Sequence, residues 1–225
     1  MVDGAIETPW DRRVFGIDTY EITTVTDERL ERLSQKPGHF SVRVPPLFPK
    51  RILHETGFYY CDTLIEPYCQ KKHFKDFHDD RAEAGRNLDP DQAVPFCRKA
   101  FQYDRFHRDF NLDKAKADER YEQWMRAIAQ KGALIGLWFE KKLAGFFACE
   151  GSQIRLHALG PDFRGKGLAK YLWSAACRQL FAEGYEELSS SVSAANLAIV
   201  NLYRSLGFSF RHPVDIYHKY NPPRL

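Results

Sequence analysis

The chain has 225 residues, with 33 Lys+Arg against 30 Asp+Glu and a net charge of +3. At about 150 residues per domain this allows one large domain or a small one plus a medium one, and a chain of this size buries about 70% of its unfolded surface without disulfide or metal staples. So even a charge balance excludes a dedicated nucleic-acid binder, which would carry a strongly basic domain.

The opening MVDGAIETPWDRR lacks an apolar signal core, and no run of 18 apolar residues follows, so a cytoplasmic protein that does not engage membranes is expected. Phe15 to Val25 is β-rich, and Thr26-Asp27 introduces a short helix with acids in its first turn. Phe40 to Val44 alternates as a strand that Pro45-Pro46 ends, a second helix stops at Gly57, and Phe58 to Ile65 reads as another strand. Residues 66–90 are polar and predict a linker or exposed segment. Its His73 and His78 are five apart, do not share a helical face, and are not expected to hold a metal. A helix from Pro90 to about Ala100 leads into Phe101–Phe110, a loop dense in aromatics and charges. A long amphipathic helix from about Asp113 to Gln130 places Ala117, Tyr121, Trp124 and Ile128 on one side.

The last hundred residues are more regular. Ala133–Glu140 and Leu143–Cys149 form a hairpin about Lys141-Lys142, and Gln153–Leu159 is a third strand. Exposed edges of that hairpin would allow a homodimer. A helix from Gly167 to Ala182 carries Leu168, Leu172, Ala175, Ala176 and Leu180 on one stripe and closes at Gly184. A strand (Glu187–Val192), a helix (Leu197–Leu206, stopped by Gly207) and a strand from Phe208 complete the chain. The order predicts an α/β (α+β) fold with a mixed central sheet. Cys61, Cys69, Cys97, Cys149 and Cys177 are scattered, without a C-x-x-C pair, and are expected to be free, buried and small.

The chemistry concentrates in Arg164-Gly165-Lys166-Gly167-Leu168-Ala169, between a strand and a helix. Glycines there let backbone N–H groups close on an anion, the helix N-terminus adds partial positive charge, and Arg164, Lys166 and Lys170 stand beside it. A phosphorylated ligand is the natural occupant, although a G-x-G can also be a plain helix start. The P-loop pattern is absent, and Lys170 loosens the match to the dinucleotide fingerprint.

Further on come Asn196, Ala198, Asn201, Leu202, Tyr203 and Leu206-Gly207-Phe208. With the glycine turn, this resembles the two ordered motifs of the GNAT superfamily of acyl-CoA N-acyltransferases, over roughly residues 90–220. The resemblance implies acetyl-CoA as co-substrate and no metal. It implies pyrophosphate binding by the backbone of Arg164, Gly165, Lys166, Gly167, Leu168 and Ala169, and main-chain contact with the pantetheine arm from His157, Ala158 and Leu159. Asn196 is then a cofactor contact or a helix cap. Tyr203 would be the general acid that protonates the departing thiolate. A phenol of pKa about 10 keeps its proton at neutral pH while the thiol it serves has a pKa of about 8.5. The bland alternative is an aromatic on an amphipathic helix.

A narrower resemblance reaches further back. Pro9-Trp10-Asp11 with Phe15-Gly16, Gly57-Phe58 through Cys61-Asp62-Thr63, and Arg105-Phe106-His107 followed by Tyr121 and Trp124 look like the TDP-fucosamine acetyltransferase group, which acetylates a nucleotide-linked 4-amino-4,6-dideoxyhexose. It implies a small N-terminal α/β domain (1–80) ahead of a GNAT domain (81–225). Arg105, Phe106, His107 and Arg108 suit a sugar nucleotide's diphosphate and ring faces, or else form a connection held by Arg–Asp pairs. Asp62 is the candidate base, or else an ordinary strand-end acid, with Asp11 a weaker candidate of the same kind that could bind the acceptor. The same fold acting on another amine, or a silent coenzyme A sensor, remain the alternatives.

Overall fold

A computed structural model describes residues 4–33, 35–86, 88–98 and 100–223. The chain forms two compact units, each discontinuous in sequence. The first gathers the residues up to Leu64, residues 102–120 and those from Pro213 onward; the second holds residues 65–101 and 121–212. This differs from the single cut after residue 80 that the sequence suggested. Two long strands and one helix pass from one unit into the other, so chain continuity and compactness part company.

In the first unit, β1 (Ala5–Glu7), α1 (Pro9–Phe15), β2 (Thr19–Ile22), α2 (Asp27–Leu33), β3 (Gly38–Val44) and α3 (Arg51–Glu55) lead into the start of β4 (Tyr59–Gln70). Helix α1 has Pro9 at its first position and ends on Gly16 at φ 72°, a backbone region that glycine enters without steric cost. Strand β2 pairs antiparallel with β1 and parallel with β3. Strand β3 pairs antiparallel with the end of β11 (Ser209–Asn221), from Val44 opposite Asp215 to Gly38 opposite Asn221. Strand β4 lies beside β11. Tyr20, Leu30, Phe40, Val42, Leu53, Phe58 and Tyr217 form the core.

The second unit continues from β4 through β5 (Ala82–Gly85) and α4 (Pro90–Cys97). After α5 (Arg105–Arg108), which belongs to the first unit, come α6 (Lys114–Ala129), β6 (Leu134–Phe139), β7 (Lys142–Glu150), β8 (Gln153–Leu159), α7 (Ala169–Ala182), β9 (Glu187–Ser190), β10 (Val192–Ser193) and α8 (Leu197–Ser205). Its sheet order is β4-β9-β8-β7-β6-β5, mixed because β8 and β9 run parallel while the other pairs are antiparallel. This is the expected mixed α/β architecture.

Three expectations need correction. The polar stretch is not simply a linker: β4 runs on to Gln70, and β5 lies inside it, paired with β6 from Ala82 opposite Phe139 to Gly85 opposite Gly136. Only Ala82 of β5 is buried, so no apolar alternation marked the strand. Because β5 pairs with β6 over Gly136–Phe139, that part of the hairpin edge, which suggested a homodimer, is occupied. On α6 the buried stripe is Ala117, Tyr121, Met125 and Ile128, with Met125 in place of Trp124. All five cysteines are free and buried, as expected.

Candidate active site

Strand β8 ends at Leu159, a short 3-10 turn spans Pro161–Phe163, and the glycine turn then enters α7. Gly165 and Gly167 stand at φ 71° and 72°, and a Cβ built on either meets nothing within 4 Å. Among the described residues, the main-chain N–H groups of Gly165 to Ala169 donate to no backbone carbonyl. These donors lie in the turn that leads into the N-terminus of a 14-residue helix, which suits a phosphate. Arg164 donates from Nε to the Leu159 carbonyl at 2.7 Å, bracing the turn against the end of β8.

A second opening lies between β8 and β9. The two pair only at Gln153–Ser189 and Ile154–Ser190; beyond that, β10 pairs with β4 instead. On its other edge β8 stays paired with β7 through Leu159, with Arg155 bulged between Leu156 and Ile154. A bulge bends its strand and increases the twist, which explains why the parting begins there. His157, Ala158 and Leu159 lie on this unaccompanied stretch, so their backbone can receive an extended ligand arm.

Tyr203 lies on α8 and is fully buried. Its ring packs edge-on against Phe208 (4.8 Å between centroids) and His157 (5.7 Å), and His157 packs in turn against Trp173 (5.1 Å) and Phe147 (5.4 Å). The Tyr203 hydroxyl, the Trp173 indole nitrogen and His157 Nδ1 are all buried without a hydrogen-bond partner. Buried polar atoms gathered in one apolar cluster make it a candidate ligand contact. Burial drives the Tyr203 phenol well above 10, only partly offset by the nearby Ser190 and Trp173, so it holds its proton throughout the neutral range. Burial lowers His157 to about 4, which keeps the imidazole neutral. Asn196 caps α8, accepting from the Ile199 N–H at 3.3 Å. All the thiols with resolved shifts (Cys61, Cys69, Cys149 and Cys177) are pushed up by burial and hold no thiolate at neutral pH.

The remaining candidates belong to the first unit. Asp62 is fully buried, and its Oδ1 accepts from Arg108 Nη1 at 3.1 Å and from the Thr63 N–H at 2.9 Å. Asp11 is buried against Arg120, whose Nε donates at 2.6 Å. His107 lies between Asp104, bonded to Nδ1, and Asp118, 3.2 Å from Nε2. Burial would lower this imidazole, but the two carboxylates outweigh it and raise its pKa. Arg105 stacks on Phe106 at 4.7 Å. His107 thus follows the alternative of a connection held by ion pairs. His73 and His78 are exposed, and His78 pairs with Asp80.

One cluster escaped the sequence reading. His39 on β3, His218 on β11 and Asp109 after α5 are buried together. Asp109 Oδ2 accepts from His39 Nε2 and His218 Nδ1, both at 2.8 Å, and Oδ1 accepts from Tyr59 (2.9 Å) and the Asn111 N–H (2.8 Å). The three residues lie 70 and 109 positions apart in sequence, so no local spacing could have joined them.

Residues 99–208 match the acetyltransferase (GNAT) family model. The chain is 33% identical over 90 residues to a mycothiol acetyltransferase of Thermobispora bispora, a stretch covering 39% of this chain and 30% of that protein. It is 21% identical over 136 residues to the spore coat polysaccharide biosynthesis protein SpsD of Bacillus subtilis, covering 58% and 47%. It therefore spans less than half the length of both curated relatives. A GCN5-related N-acetyltransferase from Sphaerobacter thermophilus superposes with a TM-score of 0.64 at 13% identity, over 98% of this chain and 78% of that one, and shares the fold. Proteins of this family use acetyl-CoA as co-substrate. The open anion cradle ahead of α7, the parted strands and the matched segment lead to one conclusion: the chain has the GNAT fold, and residues 99–208 match the acetyltransferase (GNAT) family model.

Proposed function

We propose that the chain is an acetyl-CoA-dependent N-acetyltransferase whose acceptor is the amino group of a nucleotide-linked amino sugar of the 4-amino-4,6-dideoxyhexose type. The observation that carries the reaction class is the buried, protonated and unpartnered Tyr203 hydroxyl in the unit that holds the glycine turn and the parted strands. The neutral amine attacks the thioester carbonyl, the C–S bond breaks, and Tyr203 donates its proton to the leaving sulfur. The proton lost by the amine restores the phenol, so product amide and coenzyme A thiol balance the reaction. With its pKa above 10 the phenol is a weaker acid than the thiol it serves, so it hydrogen-bonds the sulfur as charge develops and gives up its proton only as the C–S bond breaks and the amine's proton becomes available to replace it. Raised thiol pKa values support direct attack over a cysteine acyl-enzyme.

In this reading the backbone of Arg164 to Ala169 holds the pyrophosphate, and His157 to Leu159 with Asn196 line the pantetheine arm. Arg105 and Arg108 are the residues we assign to the acceptor's phosphates, and Asp62 is the residue we assign as base. Similarity to a polysaccharide biosynthesis protein supports a sugar acceptor. A different small-molecule amine is the second reading, favoured by the 33% identity to a mycothiol acetyltransferase. A thiol-release assay with acetyl-CoA against a panel of amino sugar nucleotides, polyamines and amino-acid amines tests both. Release with the nucleotide sugars alone is expected, and release with none of the amines would refute acetyl transfer.

A further inference from the structure

The first unit is assembled from three separate stretches of chain, and one buried cluster takes a side chain from each. His39 comes from the stretch that ends at Leu64, Asp109 from residues 102–120 and His218 from the stretch that begins at Pro213. The sheet brings the two rings together. His218 lies opposite Ser41 in the β3–β11 register, so His39, two residues before Ser41, is its diagonal neighbour on the same face. The ring centroids are 4.7 Å apart, with the planes at 80°. Asp109, the residue after α5, places Oδ2 at 2.8 Å from both His39 Nε2 and His218 Nδ1.

Charge sets this cluster apart from ordinary packing. A carboxylate that accepts from two imidazoles, a phenol and a backbone N–H is held ionised, and Asp109 has no exposed surface. Among the described residues its ion-pair partners are the two histidines alone, each charged only if it gains a second proton. Buried charges are as a rule paired or bound to a metal. Here two ring nitrogens and a carboxylate oxygen lie within 4.8 Å of one another, the donor set that suits zinc. Bonds of about 2.0–2.2 Å to a tetrahedral ion hold its ligands about 3.3 Å apart, so the two N···O distances need open by only about half an ångström.

We propose that His39 Nε2, His218 Nδ1 and Asp109 Oδ2 bind a structural zinc ion inside the first unit, independent of the acetyl-transfer reading. The Tyr59 hydroxyl, 3.1 Å from Oδ2, is the candidate for the fourth position. Oδ1 stays held by the Asn111 N–H, which fixes the carboxylate. Each ring shifts its proton to its other nitrogen, so neutral imidazoles ligate and no net proton is released. His218 Nε2 is buried without a hydrogen-bond partner and stays so in either tautomer, so it does not choose between an ion and a hydrogen-bonded network. A closed site needs no cavity in the folded chain, because the ion is taken up as the unit folds. Asp109 is 70 residues from His39 and 109 from His218, so the ion closes two long loops and ties three stretches of chain into one unit.

The double variant His39→Gln/His218→Asn separates the ion from the hydrogen bonds. Each amide can still donate an N–H to Asp109 from near the place of the ring nitrogen it replaces, and neither is a zinc ligand. Wild-type protein prepared without chelator should carry about one zinc per chain by plasma mass spectrometry. After chelation, zinc at about a hundredfold its Kd should raise the wild-type melting temperature by about 5–10 °C and leave that of the double variant unmoved. A wild type indifferent to both chelator and zinc overturns the proposal. An equal shift in the two proteins also overturns it, since the ion then binds elsewhere. Where the double variant does not fold, X-ray absorption of the zinc-loaded wild type decides. Two imidazoles with oxygen at about 2.0–2.2 Å are expected, and a sulfur shell or a single imidazole overturns the proposal. Failure of every amine in the thiol-release assay would remove the acetyl-transfer reading and leave the zinc site standing.

Discussion

Tyr203→Phe should make the protein more stable and less active at once. The hydroxyl it removes is buried on a side chain with no exposed surface and has no hydrogen-bond partner. Leaving such a group unsatisfied costs about 1–3 kcal/mol, while the ring contacts with His157 and Phe208 survive the substitution. Ser190 and the Trp173 indole lie near enough to recover part of that cost, so we take the low end, about 1 kcal/mol of gain. For a chain of this size that raises the melting temperature by about 2–4 °C. The same hydroxyl is the proposed acid, and general acid catalysis is commonly worth about 10²–10⁴ in rate, so kcat should fall at least about tenfold with acetyl-CoA affinity held. Scanning calorimetry, isothermal titration with acetyl-CoA and the thiol-release rate measure the three quantities. A melting temperature that drops while turnover holds would refute the reasoning, because Tyr203 would then be a satisfied core residue.

Three further outcomes follow from the same geometry. Gly165→Ala and Gly167→Ala each force a side chain into left-handed backbone, at about 1–2 kcal/mol, and place a methyl group in the open cradle. The acetyl-CoA KM should rise with the amine KM unchanged, and an unaltered acetyl-CoA KM would move the phosphate site elsewhere. His157 titrates near 4 when folded and near 6.5 when unfolded, so the unfolded chain binds the extra proton between those values. Its contribution is fully present above pH 6.5 and is lost as pH falls toward 4, so His157→Phe should flatten the decline in melting temperature across that window. Parallel curves for the two proteins would count against a buried neutral imidazole. Asp11 and Arg120 form an ion pair with both side chains about one-tenth exposed, and removing one partner strands the other, so Asp11→Ala should cost about 3 kcal/mol in urea denaturation. Unchanged stability with a raised amine KM would instead return Asp11 to the acceptor site.

What could be read in advance depended on how far apart the cooperating residues lie along the chain. The glycine turn, its helix, the hairpin and the helix bearing Tyr203 are local patterns, and each appears within a few residues of its expected bounds. Strand β5 was hidden because its support is the main chain of β6 rather than a buried face of its own. Asn196 caps α8 through the Ile199 N–H, and its contact with the pantetheine arm is a proposal that the cap leaves open. For the first-unit candidates, residue type was informative but partner choice was not. His107 looked suited to phosphate until Asp104 and Asp118 were found on its two nitrogens.

The Asp109 network marks the limit of that kind of reading. His39, Asp109 and His218 come from the start of one strand, the residue after a four-residue helix and a strand near the far end of the chain, and each taken singly is an ordinary polar residue. Their meaning comes from a count of protons: one carboxylate that only accepts, two rings that must each donate to it, and one ring nitrogen left over. The Tyr203 hydroxyl in the second unit is likewise buried without a hydrogen bond of normal geometry, although Ser190 and Trp173 stand beside it. At both places desolvation is at most partly compensated inside the folded chain. A bound thioester would supply the missing partner at Tyr203, and a cation would balance the buried carboxylate at Asp109. Buried groups of this kind therefore point to ligand contact more directly than the charged residues that first drew attention, most of which are already paired with one another.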